Sequence, residues 1–373
     1  MNEYRENDRS DMSTDASKRD VHLVGSVGLG SAGEVFRTVS SLIGDRVHRI
    51  PDGETGARSS WIHWNRAVFE DNAALELDPV EKAAGRRLTS ETEGIRRWGG
   101  GTARAQGAPP PPRLRVRDGI GADDIVFQPL GHAEYAKKSY AVFRSLRDDG
   151  AIRTGTRFQV SLPTAAAMMN GHIVPSHHRT VEAPLTRRLF ADVADMCAAI
   201  PHHDLGLQWD IPCEMSQWEG VRPAWFADVK EGVIERLVRH IDSVPATVQL
   251  GLHFCYGSYG GRHWMEPKDT ANCVEVHNRV VEKIARPLHW IHLPVPIERD
   301  DDAYYAPLSG LKRRSATELY LGLIHHQDGV DGTRRRIASA ARFVANFGIA
   351  TECGFGRRPP ETIPDLLKLH AAI

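Results

Sequence analysis

The sequence predicts a single closed (β/α)8 barrel, a TIM barrel, and three observations lead there. Eight short runs rich in Val, Ile and Leu recur along the 373 residues, with helical patterns between most of them. The runs are nearly continuous in apolar character, as expected of strands buried on both faces. Nearly every run ends in a polar or metal-capable residue, and a parallel barrel gathers its strand C-termini on one face.

In order, the runs are VHLVGS (21–26), RVHRIP (46–51), RFQVSLP (157–163), LGLQWD (205–210), TVQLGLHFC (247–255), LHWIHLPV (288–295), LYLGLIH (319–325) and GIATECG (348–354). The segments 185–200, 226–244, 271–285 and 333–347 place apolar residues three or four apart, so each presents one stripe to a sheet. An open doubly wound sheet is the alternative, but GSVGLGSAG (25–33) lacks the G-x-G-x-x-G frame of a dinucleotide fold. Residues 1–20 are polar and read as a disordered N-terminal tail without the apolar stretch of a signal peptide. Residues 21–373 then form one barrel, interrupted by an irregular insertion at about 94–125. That insertion holds WGGG, QGAPPPP and GIGADD, keeps no period, and reads as a lid-like loop region over the barrel mouth or as a plain surface excursion.

A formal net charge of −1 gives no global field for nucleic acid or an anionic membrane, and no apolar run is long enough to span a bilayer. The five cysteines are irregularly and widely spaced, unlike a secreted disulfide framework. A reducing cytoplasm is the expected setting, with thiols available to a metal. Cys197, Cys213 and Cys273 are expected to be inert.

The strand-end residues carry the chemistry: Ser26, Glu54, Asp210, His253 with Cys255, His292, His325 and Cys353. His253 and Cys255 are two apart, so on a strand both side chains face the same way and can reach one ion. Cys353 ends the last run, and zinc takes such nitrogen and sulfur donors tetrahedrally. The competing reading is two buried thiols and a core histidine. Asp210 and Glu54 each end an apolar run, where an acid is costly unless it meets a cation. A substrate ammonium is one such cation; a structural arginine such as Arg58 is another.

These residues, in this order, resemble the catalytic C-terminal barrel of cobalamin-independent methionine synthase, within the UROD/methionine-synthase-like superfamily. The motifs are GS at 25–26, DGE at 52–54, QWDIP at 208–212, HFCY at 253–256 and TECGFGRR at 351–358. The likeness runs from about residue 21 to the C-terminus and leaves 94–125 unmatched. It implies one zinc ion per chain on His253, Cys255 and Cys353, with Glu54 and Asp210 holding an amino-acid substrate. The length is that of a short, single-barrel relative. Two departures stand out. Pro294 or a neighbour occupies the place of the family's zinc-binding glutamate, which leaves His292, Glu266 and Glu352 as candidate fourth donors, or water or substrate. Ile211 stands where the family has the glutamate of I-D-E-P, so the methionine synthase reaction itself is not implied. The segment 294–308 has no counterpart and offers Arg299, Asp302 and Tyr304 for substrate binding.

The expected activity is transfer of a methyl or other alkyl group onto a metal-activated thiol, from a folate-type methyl donor, another methyl carrier or an epoxide. Its partners are then small molecules, and oligomerisation stays open. His325 is the candidate acid or base, alongside Asp210. Two alternatives remain: a metal-dependent lyase or hydrolase acting on a small natural-product intermediate, and a non-catalytic ligand-binding barrel.

Overall fold

The computed structural model describes residues 18–84, 111–257 and 263–373. Its strands are β1 (Arg49–Pro51), β2 (Leu75–Leu77), β3 (Leu114–Val116), β4 (Arg157–Pro163), β5 (Leu205–Asp210), β6 (Gln249–His253), β7 (Trp290–Pro294), β8 (Glu318–Ile324) and β9 (Phe347–Thr351). Seven of them form one parallel sheet in the order β1-β4-β5-β6-β7-β8-β9. The order follows the chain without reversal, which excludes the doubly wound alternative. The helix Ala32–Ile43 precedes β1, and helices lie between successive sheet strands, including His132–Asp148, His178–Ala199, Val229–Asp242, Ala271–Val281 and Gly329–Ala340. Among the described residues, no helix is long and apolar enough to cross a membrane.

Strand parity explains the curl. Leu205, Leu207 and Trp209 on β5, Leu250 and Leu252 on β6, and Leu319, Leu321 and Leu323 on β8 are at most 1% exposed. Fully burying each aliphatic chain is worth about 1.5–3 kcal/mol. The alternate positions are polar, aromatic or glycine apart from Ile324, which lies past a register shift in β8; Gln249 and Glu318 among them are half-buried and the others are buried. Arg49 of β1 donates to Gln249 of β6 at 2.9 Å and pairs with Glu318 of β8. Its guanidinium also lies 4.1 Å from the Trp290 ring centroid on β7. One side chain reaches three non-neighbouring strands, so this is the concave face. Both faces are buried, as expected, but the strands alternate aliphatic outside with polar and aromatic inside rather than running apolar throughout.

The expected first strand, 21–26, is not a regular strand. It touches both edges of the sheet through isolated parallel bridges: Val21 to Val47 and to Ile349, Ser26 to Gly53, and Val27 to Phe355. Side chains take up its carbonyls. Gln159 donates to Leu23 O at 2.9 Å, while Ser161 and Gln208 donate to Val24 O at 2.8 and 2.6 Å. These donors replace the ladder bonds that an eighth strand would form. Arg19 and Asp20, placed in the tail by composition, are held: Arg19 donates to Phe347 O at 2.8 Å and Asp20 O accepts from Ile349 N at 2.9 Å.

Of the expected insertion at 94–125, residues 94–110 lie outside the described residues. The remainder is partly regular: β3 pairs antiparallel with β2. Local periodicity misses this pair because the partner lies far upstream. The ribbon is fastened to the segment after β4, where Val174 N donates to Leu114 O at 2.9 Å.

Candidate metal centre

The C-terminal ends of two strands carry the donors: His253 ends β6 with Cys255 two residues beyond, and Cys353 follows β9. Parallel register sets Asp210 beside His253 and His253 beside His292, a row across β5, β6 and β7. Cys255 follows two residues past His253, where the chain leaves the sheet. Gly257 N then turns back to donate to Cys255 Sγ at 3.3 Å. Gly257 holds φ +85, and a Cβ there would lie 2.7 Å from Trp264, so this turn requires glycine. Cys353 enters just past β9. Its segment packs on residue 26: Phe355 N donates to Ser26 O at 2.9 Å and Gly356 N to Ser26 Oγ at 3.2 Å. A Cβ on Gly354 would lie 2.4 Å from Ser26 Oγ. Ser26 therefore joins the loop carrying Glu54 to the loop carrying Cys353.

The Cys255 and Cys353 sulfurs are 3.8 Å apart, and Cys353 Sγ is 3.5 Å from His253 Nε2. A tetrahedral ion with Zn–S near 2.3 Å and Zn–N near 2.05 Å has edges of about 3.8 and about 3.6 Å. Among the described residues, these three are the group whose donor atoms all lie within 4.8 Å of one another, so they can coordinate a metal ion. The cysteines are not bonded to each other.

The imidazole is preset for this. His292 Nε2 lies 3.0 Å from Thr351 O, and a carbonyl only accepts, so that nitrogen carries the proton. His292 Nδ1 then has a lone pair and accepts from His253 Nδ1 at 2.7 Å. This leaves the His253 Nε2 lone pair facing Cys353. Burial, with His253 and His22 adding to it, holds His292 well below the ordinary histidine range, which keeps it neutral. A partner that fixes the tautomer of a ligating histidine is the usual support of such a donor.

Two acids flank the centre. Burial raises Asp210 to about 7, with Cys353 adding and His253 and Gln208 opposing; Gln208 Nε2 donates to its Oδ1 at 2.9 Å. Burial and Asp210 raise Glu54 to about 8, and Arg58 opposes this only in part. Arg58 is instead paired with Asp52, at 2.5 Å. Glu54 itself sits at φ +51, unusual for a residue with a side chain.

His325 is buried, with Nε2 donating to Val295 O at 2.8 Å, and burial lowers it to about 3. Its Nδ1 lies 3.9 Å from Glu352 Oε2. Arg299 and Tyr304 are engaged in their own segment. Arg299 pairs with Asp301 at 2.9 Å, and the buried Tyr304 hydroxyl donates to Pro294 O at 2.9 Å. That bond covers the place where the resemblance led one to look for a glutamate. Sequence reasoning passed over His263, which lies buried beside Glu352, with Nε2 3.4 Å from Oε2. The available signal was an imidazole eight residues beyond Cys255, across the glycine-rich stretch YGSYGGRH.

No protein-family model and no curated protein matches the chain. Solved structures do. A B12-independent methionine synthase from Shewanella sp. W3-18-1, in complex with selenomethionine, matches 95% of this chain and 96% of its own length at 14% identity and a TM-score of 0.52. The chain shares that barrel fold. A Listeria monocytogenes structure, provisionally named as a vitamin-B12-independent methionine synthase, matches 91% of this chain and 85% of its own at 14% identity and a TM-score of 0.48.

Proposed function

We propose that this protein is a zinc-dependent transferase that moves a methyl or other alkyl group from a small-molecule donor onto the sulfur of a thiol substrate. One observation supports this above the rest: two thiols and one lone-pair-bearing imidazole stand at tetrahedral spacings, beside two buried acids. A divalent ion held there supplies the charge that ionises a bound thiol near neutral pH.

The chain's own residues do the rest. His292 keeps His253 in the coordinating tautomer. Asp210 and Glu54 receive a substrate ammonium, whose positive charge offsets the burial that raises both and the Asp210 charge that adds to it at Glu54. Ser26 fixes the spacing between the acid loop and the thiol loop. His325 is neutral, with Nε2 donating to Val295 O, so that its Nδ1, 3.9 Å from Glu352 Oε2, carries the lone pair through which it would act as a base. In the transfer a sulfur–carbon bond forms as the carbon–donor bond breaks, and the donor leaves with the electron pair. A folate-type carrier or an epoxide fits this description. The isolated bridges of residues 21–27 to both sheet edges support a barrel closed by that segment, and thiol ligation suits a reducing cytoplasm.

A second reading, a metal-dependent lyase or hydrolase, is favoured by Pro294, which puts no carboxylate at the end of β7. Metal analysis and thiol titration separate the two. One zinc per chain, lost in Cys255→Ser and Cys353→Ser, with protons released when homocysteine is added, is expected for transfer. Stoichiometric zinc without thiol-linked proton release selects the second reading. A folded wild-type protein that takes up no zinc removes both.

A further inference from the structure

The proposed centre has three protein donors, and β7 supplies no fourth. Pro294 offers only its carbonyl, already bonded to Tyr304. His292 is excluded because both of its ring nitrogens are engaged, one on His253 and one on Thr351.

Another imidazole has the attributes of a ligand. His263 is enclosed, its side chain 2% exposed. Its Nδ1 lies 2.9 Å from Glu266 Oε2, and a carboxylate accepts, so Nδ1 carries the proton. In the neutral ring Nε2 then bears a lone pair; it is buried, makes no hydrogen bond and faces Glu352 Oε2 at 3.4 Å. A carboxylate bonded to one ring nitrogen with the other nitrogen directed at a metal is the recurrent support of histidine ligands. Its position agrees. Tyr256, next to Cys255, has its ring centroid 6.1 Å from that of His263. Glu352, next to Cys353, has its Oε2 3.4 Å from His263 Nε2. The imidazole thus borders both cysteine segments.

We propose that, in the absence of substrate, His263 is the fourth protein donor to the ion held by His253, Cys255 and Cys353, with Glu266 fixing its tautomer, and that the thiol substrate takes its position on the ion. This rests on the metal reading of the centre. The resulting Cys2His2 set is one that zinc accepts, and two thiolates with two neutral imidazoles leave a divalent ion formally uncharged. His263 is outside the group whose donors lie within 4.8 Å of one another. Joining it therefore requires Nε2 to leave Glu352 and turn toward the sulfurs.

Cobalt(II) in place of zinc provides the test, because each cobalt-bound imidazole shows one strongly shifted, solvent-exchangeable N–H proton resonance. The wild-type protein is expected to show two such signals together with thiolate-to-cobalt charge-transfer absorption. His263→Gln should keep the absorption and show one signal. Glu266→Gln leaves the ring in place; it should broaden one signal by faster exchange and weaken cobalt binding about 10- to 100-fold. One signal in the wild type, or signals unchanged in both variants while the absorption persists, overturns the assignment of His263 and leaves the three-donor centre standing. Absence of thiolate absorption in the wild type removes the metal reading and this assignment together.

Discussion

Replacing His292 tests the tautomer relay, and through it the centre. In His292→Phe the Nδ1 acceptor, 2.7 Å from His253 Nδ1, is lost. His253 is 1% exposed, so no water replaces it freely. Losing the outer partner of a ligating histidine costs about 10- to 100-fold in metal affinity, or about 1.4–2.7 kcal/mol. The substitution also removes the donor 3.0 Å from Thr351 O, a separate loss of about 1–3 kcal/mol in folding stability. The two effects can be divided. Asn at this position can place a side-chain oxygen near the site of Nδ1 and cannot reach Thr351. His292→Asn is therefore expected to recover metal affinity while staying less stable. Zinc affinity is read by competition with a chromophoric chelator, and stability of the metal-free protein by urea unfolding. A His292→Phe protein that folds and binds zinc within twofold of wild type would refute the relay.

Three further outcomes follow from the same geometry. Tyr304→Phe should lower stability by about 1–2 kcal/mol, because the buried Pro294 carbonyl loses its 2.9 Å donor, and should leave zinc affinity unchanged; weakened substrate binding at full stability would return Tyr304 to the site. Gly251→Ala should destabilise by about 1–3 kcal/mol in thermal unfolding, since a Cβ there would lie 2.1 Å from the fully buried Trp290; an unchanged melting temperature would contradict the packing described for β6 and β7. Glu54, raised to about 8 from an ordinary 4.5, keeps its proton in the folded protein, so its contribution to stability is present at low pH and is lost as pH rises through about 8. An amino-acid ligand that needs the ionised form should bind about fivefold more tightly at pH 8 than at pH 7, as the ionised fraction rises from about one tenth to one half; calorimetry on Glu54→Gln showing the same pH dependence would remove Glu54 from the binding site.

How much of this was legible in the sequence depended on whether the signal was local. β4 and β5 were readable to the residue because each is an apolar run with clear ends. The donors His253, Cys255 and Cys353 were readable because strand ends converge in a parallel barrel. Residues 21–26 misled because their carbonyls are satisfied by Gln159, Ser161 and Gln208, chosen far away in the chain. β3 was hidden for a similar reason, its partner being β2 across the insertion. For Arg299 and Tyr304 the side chains are legible in the sequence, and the structure adds their partners within the chain, Asp301 and the Pro294 carbonyl. His292 and His263 look alike in sequence; the tautomer that distinguishes them is set by Thr351 and Glu266.

The electrostatics of the centre bind its parts into one argument. Cys255, Asp210, Glu54 and Glu352 are all pushed toward the protonated form. Burial contributes to every one of these shifts, and negative neighbours add to each: Cys353 acts on Cys255, Asp210 and Glu352, and Asp210 acts on Glu54 and Cys255. The imidazoles divide in the same field. His22, His292 and His325 are lowered, burial being the largest cause. His253 and His263 are raised in spite of burial, His253 by Cys353 and Asp210 and His263 by Glu352 and Glu266 with a smaller part from Cys353. A region where acids hold their protons and two buried imidazoles gain basicity is one of strongly negative potential. Under the proposed function that potential favours a divalent ion at the sulfurs and an ammonium at Glu54 and Asp210. The same two imidazoles that this field raises are the ones whose Nδ1 protons are fixed by acceptors, leaving Nε2 to a cation. Electrostatics and hydrogen bonding thus point to the same pair and are linked, since the Cys353 and Glu266 contacts contribute to both.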